Sequence, residues 1–158
     1  MTREKKQEYT LRISQANSTQ LIIILYEITL TYLKDANDRY EHGDKEEFCK
    51  QILSARKCID EMMNNLHYEY EVARNLKQIY LAMKKDIRTA YLEESPERII
   101  PVCNNLESLL SAYKKISSQD TSAPVMEHTQ TVIAGLTYGK NSISEDLSGE
   151  NSSRGFCV

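Results

Sequence analysis

Four runs of apolar residues at helical spacing lie between Ser18 and Ile116, and each run is about as long as a long helix. In the last run the apolar residues recur every three or four positions, at Ile99, Val102, Leu106, Leu109, Tyr113 and Ile116. Residues so spaced share one face of a helix, and that face must be buried. Four such helices can bury one another. The sequence therefore predicts an all-α protein, folded as an antiparallel up-and-down four-helix bundle.

Composition divides the chain into three segments. Residues 1–16 are polar, and we expect a partly extended N-terminal arm that lies on the bundle formed by residues 17–118. Residues 119–158 are rich in Ser, Asn and Gly, which predicts a mostly disordered polar tail. Two short apolar islands interrupt this tail, at 132–140 and 154–158. Our hypothesis for the first island is that Val132 to Tyr138 folds back onto a binding groove as a self-inhibiting peptide.

Capping residues predict where the helices begin and end. Each predicted start has a side chain that can accept a hydrogen bond from the first turn: Asn17 with Gln20, Asp44 with Glu47, and Ser95 before Pro96. The first long helix should run from Ser18 to Glu41, with Gly43 as the left-handed residue after its end. Pro101 leaves two alternatives open. Either it kinks the fourth helix, or the regular helix begins near it.

The second and third helices each have an apolar stripe. The stripe of the second helix consists of Phe48, Ile52, Ala55, Ile59, Met62 and Leu66. The third helix should begin near Glu69, and its stripe consists of Val72, Leu76, Ile79, Met83, Ile87 and Ala90. Apolar residues outside these stripes predict surface beyond a minimal helix contact: Cys49, Leu53, Cys58, Ala73, Tyr80 and Tyr91.

The bulk properties exclude several functional classes. A net charge of −3 at neutral pH provides no basic field for nucleic acid. No segment reaches the roughly 18 apolar residues of a membrane span. The start of the chain lacks the apolar core of a secretory signal, which favours a cytoplasmic location. Cysteine spacing matches no zinc motif, and nucleotide-binding and catalytic patterns are absent, so we predict no metal, no cofactor and no enzymatic activity.

The start of the first long helix is apolar on every side, from Leu21 to Tyr26. An ordinary bundle helix keeps one solvated face. The stretch is therefore either buried deep in the core, or it presents one face to the bundle and another to a partner. The second alternative predicts a groove into which an extended or helical peptide could place apolar anchors.

The order of these features resembles the flagellin export chaperone family, FliS, over roughly residues 9–116. The similarity lies in short pieces along the helices: Tyr9 and Ile13, Ala16 to Leu21, Leu25-Tyr26, Leu33, Ala36, Ala73, Asn75, Leu76, Tyr80, Ala90, and Leu109 to Tyr113. Three positions depart from the family pattern. Ser18 stands where Pro is common, Glu27-Ile28 replaces an Asp-Gly-like pair, and Tyr113 replaces a frequent Trp.

The resemblance implies a cytoplasmic, non-enzymatic chaperone. Such proteins hold the C-terminal segment of flagellin, one-to-one, and prevent its polymerisation before export, and flagellar export machinery is a possible second partner. A homodimer without cargo stays possible. The alternative is an unrelated structural or signalling bundle whose extra apolar surface forms a homodimer.

The resemblance also selects six partner-binding residues: Tyr9, Ile13, Leu21, Ile24, Leu25 and Ile28. In the family the N-terminal arm can cover an apolar pocket near the partner site. Two roles for Tyr9 therefore stay open. It either acts as a lid that the partner displaces, or it is a packing residue that pins the arm.

Overall fold

The computed structural model describes residues 1–66 and 69–125, and this part of the chain forms five α-helices and a short 3-10 helix. The helices are α1 (Arg3–Ser14), α2 (Ser18–Glu41), α3 (Lys45–Asn64), α4 (Glu71–Glu93) and α5 (Ile100–Ser117), with the 3-10 helix at Pro96–Ile99. The predicted all-α bundle is confirmed, with α2 to α5 as its four helices. The apolar islands of the tail, the fold-back hypothesis and Cys157 lie outside the described residues.

The four bundle helices are arranged around one core, in which α2 and α4 each pack against both α3 and α5. Neighbours run antiparallel. Lys45 at the start of α3 pairs with Glu94 at the end of α4, at 2.5 Å. Asn17, which precedes α2, donates to the carbonyl of Asp120 beyond the end of α5, at 3.4 Å. The short loops between α2 and α3 and between α4 and α5 require the same reversals.

The main core draws side chains from every bundle helix. Its fully buried members include Leu33 and Ala36 from α2, Phe48, Ile52, Ala55 and Ile59 from α3, Met83, Ile87 and Ala90 from α4, and Val102 and Leu106 from α5. Burial of each large apolar side chain contributes about 1.5–3 kcal/mol. The stripe predicted for the second helix lies in this core, with Leu66 half-buried at its end.

The predicted boundaries of the first long helix are confirmed. Its capping box is complete, because Asn17 accepts from the backbone of Gln20 at 2.8 Å and Gln20 accepts from the backbone of Asn17 at 3.0 Å. Gly43 has the left-handed φ of +76° that a residue after a helix end adopts. Asp44 caps α3, but the box there is only half formed. The Glu47 carboxylate accepts from Gln51, at 2.6 Å, instead of reaching back.

Pro101 lies in the first turn of α5. Of the two alternatives, the one in which the regular helix begins near Pro101 is therefore correct. The 3-10 helix Pro96–Ile99 comes first, and the regular helix begins at Ile100. At this position the missing N–H of proline costs no helical hydrogen bond.

The expectation of a partly extended arm is wrong, because residues 3–14 form α1. Thr2 caps this helix by accepting from the backbone of Lys5, at 3.3 Å. Tyr9 and Ile13 are four residues apart, so a helix places both on the same side, where they contact α2. This contact with α2, rather than a strong apolar pattern of its own, selects the helical conformation.

Two residues predicted to be buried are exposed, and two predicted to be surplus surface are buried. Val72 is 66% exposed and Ile116 is 53% exposed, whereas Ala73 and Tyr80 lie in the interior. On α4 the buried set begins at Ala73 and continues through Leu76, Tyr80 and Met83, which is also a regular helical spacing. At Ile116 the helical repeat continues into the last turn of α5, where the side chain stays more than half exposed.

Candidate functional site

Helix α1 lies on α2 and covers an apolar cluster that is separate from the main core. Its buried members are Ala16, Ile24 and Ile28, and Tyr9, Ile13 and Leu21 pack against them. We call these six residues the arm cluster. Five of the six predicted partner-binding residues therefore meet in one place. The sixth, Leu25, packs against the main core instead.

The arm cluster forms because two short apolar patterns face each other. Tyr9 and Ile13 are four residues apart on α1, and Ile24 and Ile28 are four residues apart on α2. Helices α1 and α2 run antiparallel, since Tyr9 contacts Thr31 and Arg12 contacts Glu27. The apolar pair on α1 therefore faces the apolar pair on α2. The apolar start of α2 is thereby explained. Ile22, Leu25 and Tyr26 face the main core, while Ile24 and Ile28 lie beneath α1.

Polar contacts hold α1 in register on α2. The Tyr9 hydroxyl and the Thr31 hydroxyl are 3.2 Å apart, and Arg12 donates to the Glu27 carboxylate at 2.7 Å. The Arg12 guanidinium also lies over the Tyr9 ring, 5.5 Å from its centroid. At the other end of α1, the backbone ammonium of Met1 lies 2.5 Å from the Asp35 carboxylate.

Glu27 connects α1 to a third helix. Its second carboxylate oxygen lies 3.0 Å from the ammonium of Lys114 on α5. Burial acts to raise the pKa of Glu27, but the hydrogen bonds from Lys114 and Arg12 outweigh it and hold the pKa below its ordinary value. Glu27 is therefore ionised at neutral pH and joins α1, α2 and α5.

Cavities flank α1 at both of its ends. One of about 630 Å³ lies beside Met1 and Lys6, over Tyr32 and Asp35 on α2 and Gln51 on α3. Gln51 is buried, and its side-chain carbonyl oxygen has no hydrogen-bond partner in the described part of the chain. The other cavity, of about 340 Å³, lies at the junction of α1, α2 and α5, beside Arg12, Ile23 and Ile24. Open space therefore remains at both ends of α1.

The chain beyond α5 returns to the junction between α1 and α2. The backbone N–H of Val125 donates to the carbonyl of Ala16, at 3.0 Å. Hydrogen bonds from Ser122 and Thr19 lower the pKa of Asp120 to about 2. Residues 120–125 therefore contact the junction between α1 and α2 through hydrogen bonds to Ala16 and Thr19.

The polar contacts of the arm were not predicted from sequence. Arg12 and Glu27 are 15 residues apart, and Glu27 and Lys114 are 87 residues apart, so no local spacing marks them. The sequence marks Cys58 on α3 only as an apolar residue outside its stripe. The structure places it half-buried against the arm cluster, where burial raises the pKa of its thiol.

Within residues 1–66 and 69–125, no group of three or more His, Cys, Asp or Glu side chains is placed to hold a metal ion. Over the same residues, no helix combines the length and apolar character needed to cross a bilayer.

Comparison with known proteins identifies the family. The family model of flagellar protein FliS matches residues 1–120, which include all five α-helices and the arm cluster. A search of curated proteins finds no match. The chain belongs to the FliS family, which is a family of flagellar chaperones.

Proposed function

We propose that this FliS family member is a cytoplasmic flagellar export chaperone that binds the C-terminal segment of flagellin, one-to-one, and prevents its polymerisation before secretion. One observation carries the proposal. The apolar face of α2 formed by Ile24 and Ile28 is covered by a short helix, and an open cavity remains beside Ile24 at the C-terminal end of that helix. Together with the family, this arrangement supports a surface that exchanges its cover for cargo.

In this proposal α1 is a displaceable lid. Its apolar hold on α2 rests mainly on Tyr9 and Ile13, both only half-buried. Full burial of one such side chain is worth about 1.5–3 kcal/mol, so these two half-buried side chains together contribute a few kcal/mol at most. A longer apolar segment that covers Leu21, Ile24 and Ile28 and also reaches Leu25 would bury more apolar surface than α1 does, and could therefore displace it.

The flanking cavities support the same proposal. The Gln51 carbonyl oxygen is buried without a partner next to the larger cavity, and displacement of α1 would let a cargo N–H group donate to it. A disordered flagellin segment loses conformational entropy when it binds, which keeps such a complex releasable. Handover to the flagellar export machinery would then complete the cycle.

The experiment that tests the proposal is a calorimetric titration of the purified chain with the C-terminal segment of flagellin from the same organism. We expect saturable one-to-one binding with a negative heat-capacity change, which marks apolar burial. No binding at high micromolar concentration by a folded chain would contradict the proposal. The homodimer alternative would then take its place.

Substitution of Tyr9 by Ala tests the lid. It removes the Tyr9 contacts to Thr31 and to the arm cluster, so displacement of α1 becomes easier and flagellin should bind about three- to tenfold more tightly. The matched control is Leu11→Ala, because Leu11 lies on α1 but is exposed. Unchanged or weaker binding by Tyr9→Ala, with the helical circular dichroism intact, would contradict the lid.

A further inference from the structure

Helix α4 has a second set of residues at helical spacing, on its exposed side. The members follow each other at intervals of three or four: Arg74, Lys77, Leu81, Lys85, Arg88 and Leu92. At about 100° per residue, all six lie within an arc of about 80°. We call this set the basic stripe. It is distinct from the buried face of α4, which begins at Ala73.

The basic stripe repeats after eleven residues. Two cationic residues and a leucine occur twice, first at Arg74, Lys77 and Leu81 and then at Lys85, Arg88 and Leu92. Eleven residues are close to three helical turns, or roughly 16 Å. Leu81 is 42% exposed and Leu92 is 66% exposed, so two apolar anchors stand in a basic field.

The charge of the stripe is opposite to that of the whole chain. The chain has a net charge of −3, yet the stripe contains four cationic residues and no acidic one. Among the described residues, Arg74, Lys85 and Arg88 form no ion pair. By contrast, Lys84 beside the stripe pairs with Asp60 of α3. Most of this positive charge is therefore available to a partner.

The basic stripe and the arm cluster lie on opposite sides of the bundle. Helix α1 packs on α2, while α4 packs against α3 and α5 and stands diagonally across the core from α2. A partner on the stripe therefore leaves α1 undisturbed, and cargo and partner can be bound together.

We propose that the basic stripe docks an acidic amphipathic helix of a partner protein, with two apolar residues eleven positions apart between carboxylates. The repeat length favours a helical occupant, because a straight helix presents residues eleven apart on one side. If a second copy of the chain docked through the same face, the two basic stripes would lie against each other and repel. A membrane-surface helix needs a continuous apolar face, and that of α4 is already in the core. The inference goes beyond flagellin binding and does not depend on it.

The test uses two synthetic glutamate- and alanine-rich helical peptides. In the first, two leucines are eleven positions apart. In the second they are thirteen apart, which turns one leucine to the opposite side of the helix. Fluorescence anisotropy with the full chain should show that the first peptide binds at least about tenfold more tightly, and that binding weakens as salt is added.

Variants localise the binding. The double substitution Lys85→Glu with Arg88→Glu should weaken the first peptide at least about tenfold. The matched control, Lys57→Glu with Lys115→Glu, makes the same charge change at exposed residues of α3 and α5 and should leave the affinity unchanged. Both variants should titrate with the flagellin segment as the parent chain does, which separates this proposal from the proposed function.

Several outcomes would overturn the inference. These are failure of the first peptide to bind, equal affinity for both peptides, and an equal loss of affinity in the control variant. Tighter binding to phosphatidylglycerol vesicles than to the peptide would assign the stripe to a lipid surface. Sedimentation that shows a dimer lost in Lys85→Glu with Arg88→Glu would assign it to a second copy.

Discussion

At the scale of single residues, three tyrosines define the centre of the bundle. The hydroxyls of Tyr26 on α2 and Tyr80 on α4 are 2.6 Å apart, and both side chains are buried. The Tyr113 ring of α5 meets the Tyr26 ring edge-on, with 5.5 Å between centroids. A buried hydroxyl is costly without a partner, so the hydrogen bond between Tyr26 and Tyr80 offsets the cost of burying both groups. The pair also fixes the diagonal relation of α2 and α4.

Removal of one hydroxyl should therefore destabilise the fold. We expect Tyr80→Phe to lower the free energy of unfolding by about 1–2 kcal/mol, because the Tyr26 hydroxyl loses its closest partner. Urea denaturation followed by circular dichroism measures the change. Tyr91→Phe is the control, since Tyr91 is exposed, and should stay within about 0.5 kcal/mol. Equal effects of the two substitutions would show that the buried pair contributes nothing.

The same cluster predicts instability at high pH. Burial is the main cause that raises the pKa of Tyr26, of Tyr80 to about 12, and of Tyr113, from an ordinary value of 10.0. The unfolded chain therefore releases these protons first. Their contribution to stability is complete below pH 10 and is lost as the pH rises toward 12.

Melting temperatures between pH 8 and pH 12 measure this effect, with tyrosinate absorbance recorded in parallel. We expect a steep fall above pH 10 that is shallower in Tyr80→Phe. Ionisation of every tyrosine near pH 10, with the helical signal intact, would refute the explanation.

At the scale of the elements, α1 differs from the other helices. It has 12 residues, its buried member is Ser14, and its apolar contacts come mainly from Tyr9 and Ile13. A helix of this length is marginal in isolation, so its order depends on its contacts with α2. We therefore expect α1 to open before the bundle does.

Glu27→Gln tests how α1 is held. It weakens the contacts to Arg12 and Lys114, so α1 should open more often and Cys58 beneath it should react several-fold faster with a thiol reagent. Labelling is measured with Cys49, Cys103 and Cys157 replaced by Ser.

The hold of Glu27 on α1 also depends on pH. Because the pKa of Glu27 is lowered, its contribution to stability is present above the ordinary value of 4.5 and is lost as the pH falls below it.

The control for this experiment is Glu46→Gln, which breaks the exposed pair with Lys50 on α3. It should leave the labelling rate of Cys58 unchanged. Identical rates in the parent chain and in Glu27→Gln would mean that Glu27 does not hold α1 closed.

At the scale of the whole molecule, the fold has two apolar clusters of unequal size. The main core joins all four bundle helices, while the arm cluster joins α1 to α2 with Cys58 of α3 at its edge. The bundle can therefore stay folded while α1 opens. The proposed exchange of α1 for cargo depends on this division.

Leu106→Ala tests the role of the main core. Leu106 is fully buried, and its truncation should lower the free energy of unfolding by about 2–5 kcal/mol through lost burial and a cavity. Leu92→Ala, at an exposed position of α4, should change it by less than about 0.5 kcal/mol. Urea titration compares the two. Similar losses would mean that Leu92 is covered in solution.

The sequence by itself determined the bundle. Apolar spacing and capping involve residues within four positions of one another, so α2 was predicted at Ser18–Glu41 and Gly43 in its left-handed conformation. The family resemblance then selected Tyr9, Ile13, Leu21, Ile24, Leu25 and Ile28, and five of these six meet in the arm cluster.

Only the tertiary structure decided how these pieces meet. It made α1 a helix, turned Tyr80 inward and Val72 outward, and joined Glu27 to Arg12 and Lys114. The physical reason is that helical periodicity predicts which residues share a face, but not which neighbour covers it. Burial and ion pairing depend on that neighbour, and it lies far away along the chain.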